Sequence, residues 1–502
     1  MDGEKALKIP KSSIILAIVA FYLYVAYSAP FLGQWDSFDY LKQIVSHQVS
    51  ALGIGRPVFL GYNILLWESA KTLFHLESQQ VETVTMAGAV LLGTLGIILF
   101  QRLCRQILGS PASRMAALGL AVSPLYALYA GFIMTEVPML AALTASALVL
   151  WKSGGQKASL NDIIGGVFFG LAIGIREQAL TLAAALIWII FCRRDNTRSR
   201  IRSTALFTVS AASVALAPAM VFYFRDQAGF IERTRTWLHA IPTGPIQFRN
   251  NFQASLLFTL AVCPGAWFAA AGAGIYRLFH RPNPLRAAGE RSRHPGSIPH
   301  AAWGVVACLL LPIAVLWRDA DVQMHPRYAL VALPASLLLC ASLYQRWVPS
   351  RKGPVIWAAA QILVFGVALA VLSPYRQAQT RKIEFARVMR DSIPGKGLLI
   401  AGNYSPVLDY YRGIGLRPGW QILWSGWNWG AGNAETAIRG AWAEGVPVYL
   451  SKDPLGWSYF EGEFLDVHFL LKNCRQERVA PMLYRIYPSA EIPWENVPDI
   501  QY

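Results

Sequence analysis

Long apolar runs separated by short polar loops fill the chain up to about residue 375. Each run has about 20 residues, which is the length that an α-helix needs to cross the hydrocarbon core of a bilayer. The runs that we interpret as spans centre near residues 14–32, 84–101, 114–130, 133–151, 161–176, 178–192, 204–224, 254–276, 301–317, 328–345 and 354–373. The pattern therefore predicts an all-α polytopic membrane region with about eleven transmembrane helices.

One further apolar stretch, at 57–76, is interrupted by Asn63, Glu68 and Lys71. Because such side chains are costly in lipid, we interpret it as an interfacial or re-entrant helix inside a large first outer loop, about 34–82. If this stretch crossed the membrane, every later loop would change sides, and the excess of basic residues in cytoplasmic loops would be inverted.

Basic residues are concentrated in alternate loops. The loops that we assign to the cytoplasm contain Arg102, Arg105, Lys152, Lys157, Arg193, Arg194, Arg198, Arg200, Arg202, Arg277, Arg281, Arg286, Arg291, Arg293, Arg346, Arg351 and Lys352. Since positive charge favours the cytoplasmic side, the N-terminus is expected inside and the C-terminus outside. We expect a multi-pass protein of a bacterial inner membrane, with a periplasmic C-terminal domain.

The sequence changes character after Pro374, where charges return and apolar segments become short. Segments 397–401, 446–450, 464–471 and 482–487 have the composition of strands, and 434–443 has helical spacing. This pattern predicts two domains, a membrane domain at 1–375 and a small soluble α/β domain at 376–502.

Composition agrees with a membrane protein. Of 502 residues, 54% are hydrophobic and 15% are charged, and the mean hydropathy is +0.37. A soluble protein would have about a quarter of its residues charged. The net charge of +16 lies mainly in the short loops described above, so we do not expect nucleic acid as a partner.

Unusual polar residues collect near one membrane boundary, on the side opposite the basic loops. They lie in segments 34–41, 134–138, 174–178 and 319–328. A transporter is expected to place ionisable groups near the middle of the membrane instead. A ring of polar groups at one boundary suits an enzyme that meets a lipid-linked substrate at its headgroup.

These segments together resemble the GT-C superfamily of membrane glycosyltransferases, of the protein mannosyltransferase or aminoarabinose transferase type. Residues 35–41 are similar to its W-D-x-x-x-Y-L motif, and residues 135–138 are similar to its T-E-x-P segment. Arg176 ends a Gly-rich helix, as in many members, and residues 326–328 with Pro334 resemble an R-Y-x-L-x-x-x-P stretch. The resemblance covers roughly residues 12–375.

The resemblance implies transfer of a sugar from a polyprenyl-phosphate donor to a glycan, lipid or protein acceptor. Such a reaction needs a carboxylate to deprotonate the acceptor, and Asp36, Asp39 and Glu136 are the catalytic candidates. A divalent cation, Mg²⁺ or Mn²⁺, is left open as a cofactor because hard cations bind carboxylates. The ordinary alternative is helix capping, by Asp36 or Ser37 in the first outer loop and by Thr135 before Glu136.

Arg176 and Arg327 are the candidate ligands of the donor phosphate, since a guanidinium group presents a planar fork of donors. His325 is a third candidate, and Arg56, before Pro57, is a further one. The alternative for the arginines is that they extend to the lipid–water interface from helix ends, and for His325 that it is an ordinary loop residue.

Two other functions stay open from sequence alone, as does a catalytically inactive member of the superfamily that serves as a scaffold. A lipid-linked oligosaccharide ligase or polymerase also uses Arg and His on the outer face, and a lipid or sugar transporter also has many spans. Membrane lipid is an expected partner in every case.

Overall fold

The computed structural model describes residues 11–28, 35–50, 53, 55–152, 158–194, 196–240, 262–279, 326–348, 352–401, 405–424, 431–451, 474–481 and 483–488. The chain divides into two units. The first comprises residues 1–30, 49–75 and 82–373, and the second comprises residues 31–48, 76–81 and 374–502.

The first unit is helical throughout its described part. Its helices are α1 (Lys11–Tyr27), α3 (Pro57–Phe74), α4 (Val81–Leu108), α5 (Ser110–Ala121), α6 (Pro124–Ala130), α7 (Glu136–Trp151), α8 (Ala158–Ile175), α9 (Ala183–Arg193), α10 (Thr197–Arg225), α11 (Gln227–Ala240), α12 (Pro264–Phe279), α13 (Leu333–Trp347) and the start of α14 (Gly353–Ser392). Helix α2 (Trp35–Ser46) belongs to the second unit.

Several predicted spans are divided into shorter helices. The span at 114–130 is interrupted before Pro124, whose ring has no N–H to donate to the preceding turn. The spans at 178–192 and 328–345 each begin with a 3₁₀ segment, at Glu177–Leu182 and Pro326–Ala332.

Three helices of the described chain are long and apolar enough to cross a membrane, at Ser78–Leu108, Thr197–Arg225 and Gly353–Val371. Shorter apolar helices occur at Ser12–Tyr27, Glu136–Trp151 and Ser159–Ile175. The chain is an integral membrane protein with a helical membrane region, whereas the count of eleven spans stays a prediction. The predicted span at 301–317 lies outside the described residues.

Close packing between α8 and α10 depends on two glycines. A Cβ atom on Gly166 would lie 2.3 Å from the Phe207 carbonyl oxygen, and one on Gly170 would lie 2.4 Å from that of Ala211. Backbone atoms cannot move aside as a flexible side chain can. Since small residues allow helix axes to approach closely in a membrane, this contact requires glycine at both positions.

Helices α7 and α8 form an antiparallel pair. The Ser146 hydroxyl donates to the carbonyl oxygen of Gly165 at 2.8 Å, and the Leu150 side chain packs against the same glycine. The first residue of α7 therefore lies at the same end of the pair as the last residue of α8. This end is where the polar motif residues occur.

The second unit is a small α/β domain, as the sequence predicts. Its elements are β1 (Gly397–Ala401), α15 (Ser405–Gly413), β2 (Trp420–Trp424), α16 (Ala431–Ala443), β3 (Val448–Ser451), β4 (Arg475–Ala480) and β5 (Leu483–Tyr487). The strands form one mixed sheet in the order β2-β1-β3-β5-β4. Strand β1 is parallel to β2 and β3, whereas β5 is antiparallel to β3 and β4.

The predicted strands at 397–401, 446–450 and 482–487 correspond to β1, β3 and β5. The predicted helix at 434–443 corresponds to α16, and Gly445 follows it with a φ of 69°, a conformation that favours glycine. Strands β2 and β4 were not predicted. The predicted strand at 464–471 lies outside the described residues.

Candidate functional site

Three of the candidate residues meet at one end of the α7–α8 pair. Glu136 is the first residue of α7, Arg176 follows the last residue of α8, and Arg327 lies in the 3₁₀ segment before α13. All three side chains are buried, with exposed fractions of 2%, 1% and 3%. Residues from three separate motifs thus form a single cluster inside the first unit.

One carboxylate oxygen joins both arginines. Glu136 Oε1 accepts a hydrogen bond from Arg176 Nη1 at 2.7 Å and lies 3.2 Å from Arg327 Nε. The second oxygen, Oε2, is buried and has no hydrogen-bond donor within the described part of the chain. Among the described residues of this buried cluster, two guanidinium groups lie against one carboxylate, which is an excess of positive charge.

The Arg176 side chain donates hydrogen bonds to three acceptors. Its Nη1 donates to Thr135 Oγ1 at 2.7 Å as well as to Glu136, and its Nε donates to Gln178 Oε1 at 2.8 Å. The backbone is extended here (φ −157°, ψ 123°), because α8 ends and the 3₁₀ segment begins. This break turns the side chain toward the start of α7.

Thr135 does not cap α7 with its side chain. An ordinary helix opening would have the hydroxyl accept from a backbone N–H of the first turn. Instead, no side-chain cap bond is present, and the Thr135 hydroxyl accepts from Arg176. Thr135 and Glu136 therefore both accept hydrogen bonds from the Arg176 guanidinium group, and the Thr135 hydroxyl does not cap the helix.

Arg56 brings a third guanidinium group to the cluster. It precedes Pro57 at the start of α3, is buried, and lies 3.9 Å (Nε) from Glu177 Oε2. It also interacts electrostatically with the Glu136 carboxylate. Three arginines and Glu136 therefore share this region, with Glu177 at its edge.

Gly174 allows the start of α3 to approach the end of α8. A Cβ atom added to Gly174 would lie 2.3 Å from Val58 Cγ2. A larger residue would push the start of α3 away. The position of Arg56, two residues before Val58, thus depends on a glycine in α8.

A different buried ion pair lies at the opposite end of α8. Arg194 Nη2 pairs with Asp162 Oδ1, and Arg194 Nε donates to Ser203 Oγ at 2.9 Å. These residues link α8, the end of α9 and α10. This pair lies beside the basic segment 193–202, so the Glu136 cluster lies at the end of α8 away from that segment.

Asp36 and Asp39 lie on α2, in the second unit. Asp36 is in the first turn of that helix and is half-buried. Asp39 Oδ2 accepts from Gln43 Nε2 at 2.7 Å, and Asp39 Oδ1 lies 3.8 Å from Lys42 Nζ. Because these acids and the arginine cluster belong to different units, their convergence on one substrate stays a prediction.

His325 lies outside the described residues, so its predicted role as a phosphate ligand also stays a prediction. Among the described residues, no group of three or more His, Cys, Asp or Glu side chains is arranged to hold a metal ion. Gln178 and the Thr135 hydroxyl were not predicted as partners of Arg176. Gln178 lies two residues after Arg176 and Thr135 directly precedes Glu136, and this proximity to motif residues is the signal that could have identified them.

Comparison with known proteins supports the resemblance. Residues 65–223 match the family described as dolichyl-phosphate-mannose-protein mannosyltransferase. No curated protein matches the chain. The fold is similar to that of ArnT from Cupriavidus metallidurans bound to undecaprenyl phosphate, with a TM-score of 0.62 and 13% identity. That match covers 95% of this chain and 98% of the ArnT chain.

The oligosaccharyltransferase AglB from Archaeoglobus fulgidus, in complex with an inhibitory peptide and a dolichol-phosphate, is similar at a TM-score of 0.43. Identity is 13%, over 96% of this chain and 75% of that chain. The fold assignment rests on the ArnT match. Together with the family match, it confirms that the chain resembles the GT-C superfamily of membrane glycosyltransferases.

Proposed function

We propose that this protein transfers one sugar from a polyprenyl-phosphate-linked donor to a glycan, lipid or protein acceptor at the outer face of the membrane. The observation that carries this proposal is the buried cluster in which Arg176 and Arg327 share one oxygen of Glu136. The undecaprenyl phosphate bound to ArnT and the mannosyltransferase family match support the choice of donor class.

The excess positive charge is suited to a phosphate group. Charge-assisted hydrogen bonds between guanidinium and phosphate are about twice as strong as neutral ones, and they strengthen further where water is excluded. In this proposal, Arg176 and Arg327 bind the donor phosphate and stabilise the negative charge that develops as the sugar leaves. Arg56 adds to the same positive field.

Glu136 has a positioning role in this proposal. With Oε1 shared by two arginines, it fixes the direction of both guanidinium planes before the donor arrives. Its second oxygen, Oε2, remains available to accept a hydrogen bond from a substrate hydroxyl. Its carboxylate also competes with phosphate for the arginines, so that the product phosphate is not held too tightly.

Asp36 is proposed as the general base. It removes the proton from the acceptor hydroxyl as the acceptor oxygen forms a bond to the anomeric carbon of the sugar. The bond between that carbon and the phosphate oxygen breaks, and the electron pair leaves with the polyprenyl phosphate. Asp39 lies three residues later on the same face of α2 and is proposed as a second catalytic carboxylate.

The proposal is tested by incubating the purified protein, in detergent or liposomes, with a panel of synthetic polyprenyl-phosphate sugars and with membrane extract as acceptor. Release of polyprenyl phosphate together with transfer of sugar supports the proposal. An Asp36→Asn variant serves as the catalytic control. If no donor is consumed by the wild type, or if the variant is equally active, the assignment is wrong.

A further inference from the structure

Helix α2, which carries Asp36 and Asp39, packs against α15 of the C-terminal domain. Its apolar side chains Phe38, Leu41 and Ile44 are fully or almost fully buried. The Phe38 ring lies 5.9 Å from the ring of Tyr410, centroid to centroid. Helix α2 lies in the predicted first outer loop, yet it belongs to the same compact unit as residues 374–502.

An ion pair joins the polar faces of the same two helices. Lys42 Nζ lies 2.7 Å from Asp409 Oδ2, and the two residues are 367 positions apart in sequence. Lys42 also lies 3.8 Å from Asp39 Oδ1, and Arg412 pairs with the other oxygen of Asp409. A continuous series of charges therefore runs from Asp39 to α15.

The stem of Lys42 is fixed by a close contact with the end of α15. A Cβ atom on Gly413 would lie 2.4 Å from Lys42 Cγ, so only glycine leaves room for the lysine in this position. The same added atom would lie 3.5 Å from Lys42 Cβ. This Cβ–Cβ distance lies within the range found in disulfide bonds, about 3.5–4.5 Å.

We infer that the C-terminal α/β domain holds α2 in place, with Lys42, Asp409 and Gly413 as positioning residues for the acids of α2. The inference rests on the proposed function, because it assigns the catalytic base to this helix. It gives the C-terminal domain a role in the reaction without any contact between its own strands and the substrate.

Small displacements of a base reduce rates strongly, since a shift of about 1 Å can cost on the order of a hundredfold in rate. The Lys42–Asp409 pair is only partly buried, so solvent screens it and its contribution to stability is small. Loss of the Lys42–Asp409 pair should therefore lower the turnover rate strongly, whereas the thermal unfolding temperature should change little.

The test is a double-cysteine variant, Lys42→Cys with Gly413→Cys. In the reduced state it lacks the ion pair, and we expect turnover about tenfold below wild type with an unchanged KM for the donor. On oxidation the new disulfide should replace the ion pair and return turnover to within about twofold of wild type. The crosslink itself is read by mass spectrometry of a peptide digest.

One native cysteine, Cys192, is exposed, so the double variant and its controls are made in a Cys192→Ser background. Cys474, in the same unit, is buried, and burial raises the pKa of its thiol to about 11, so it stays protonated and unreactive near pH 8. The single variants Lys42→Cys and Gly413→Cys, treated with the same oxidant, show the effect of oxidation without the crosslink. Thermal unfolding of each variant shows that it is folded.

Three results would overturn the inference. They are failure of the crosslink to form in a folded variant, full activity of the reduced variant, and an oxidised variant as impaired as the reduced one. A wild type that transfers no sugar would instead refute the proposed function, and the positioning role with it. The crosslink would then still report whether α2 packs against α15.

Discussion

Arg176 Nη1 donates a hydrogen bond of 2.7 Å to Glu136 Oε1, across forty positions of sequence. The bond closes one end of the α7–α8 pair and places a full positive charge where almost no water reaches. A buried pair of this kind is often no more stabilising than apolar residues, because both charges lose their hydration. Its presence between two motif residues therefore supports the phosphate-binding role proposed above.

Removal of the Glu136 charge is expected to tighten binding of polyprenyl phosphate. Glu136→Gln keeps the shape of the side chain but removes the anion that competes with phosphate for both arginines. We expect an affinity gain on the order of tenfold, about 1.4 kcal/mol, with slower turnover because product leaves more slowly. Calorimetric titration with a short-chain polyprenyl phosphate measures it.

Glu136→Asp is the control for that experiment, since it keeps the charge and should leave the affinity for phosphate closer to wild type. If Glu136→Gln binds polyprenyl phosphate more weakly than wild type does, Glu136 helps to bind the phosphate instead of competing with it for the arginines. That result would contradict the role proposed above.

Arg176→Lys is expected to reduce sugar transfer by about a hundredfold, although the positive charge is kept. An ammonium group cannot donate in one plane to Thr135, Gln178 and Glu136 at once, and it cannot bind phosphate in the bidentate manner of arginine. The rate of donor consumption in liposomes measures the effect.

Arg193→Lys is the matched control, because Arg193 is exposed at the other end of the helices and lies over the Trp151 ring at 5.8 Å. Its activity should stay within about twofold of wild type, as for most surface changes. Equal loss of activity in the two variants would mean that Arg176 has no special part in the reaction.

Thr135→Val is expected to destabilise the protein by about 1–3 kcal/mol, because it leaves a buried donor of Arg176 without its acceptor. Thermal unfolding in detergent should show a lowered midpoint, and Thr135→Ser should restore it. If Thr135→Val and wild type unfold at the same temperature, the hydroxyl is not needed to hold the guanidinium group.

Gly174→Ala is expected to weaken phosphate binding several-fold by moving Arg56. The new methyl group would overlap with Val58 at the start of α3, and the helix must shift to make room. Val58→Ala in the same protein removes the methyl that is closest to the new atom. The double variant should therefore recover part of the loss, as coupled neighbours do.

Gly272→Ala serves as the control for the glycine change, since nothing lies within 4 Å of a Cβ atom at that position. The affinity for polyprenyl phosphate is measured by titration in wild type, Gly174→Ala, the double variant and Gly272→Ala. The comparison distinguishes a steric effect at Gly174 from a general effect of replacing a helical glycine. An equal loss in Gly272→Ala would exclude the steric explanation.

Much of the fold follows from the sequence because apolar runs and their boundaries are local signals. The buried strand Gly397–Ala401 is a simple example, since five apolar or small residues follow a turn. Strand β4 was missed because its sequence, Arg475–Ala480, is polar, as suits a strand at the edge of the sheet.

The candidate site was predictable in part. Motif resemblance proposed Glu136, Arg176 and Arg327 as candidates, whose roles stay predictions, and the shared membrane boundary of their segments predicted that they lie at one end of the helices. The sequence could not show that Glu136 Oε1 contacts both arginines, since that depends on side-chain geometry. The partnership of Lys42 with Asp409 was also beyond prediction, because no local pattern links residues 367 positions apart.

In the proposed function, the arginine cluster binds the phosphate of a lipid-linked donor. Titration of wild type and Arg327→Gln with a short-chain polyprenyl phosphate and with the corresponding polyprenol tests this binding directly. We predict that wild type binds the phosphate at least tenfold more tightly than the alcohol, and that Arg327→Gln loses most of this difference. Equal affinity of the wild type for both ligands, or an unchanged preference in the variant, would contradict the claim.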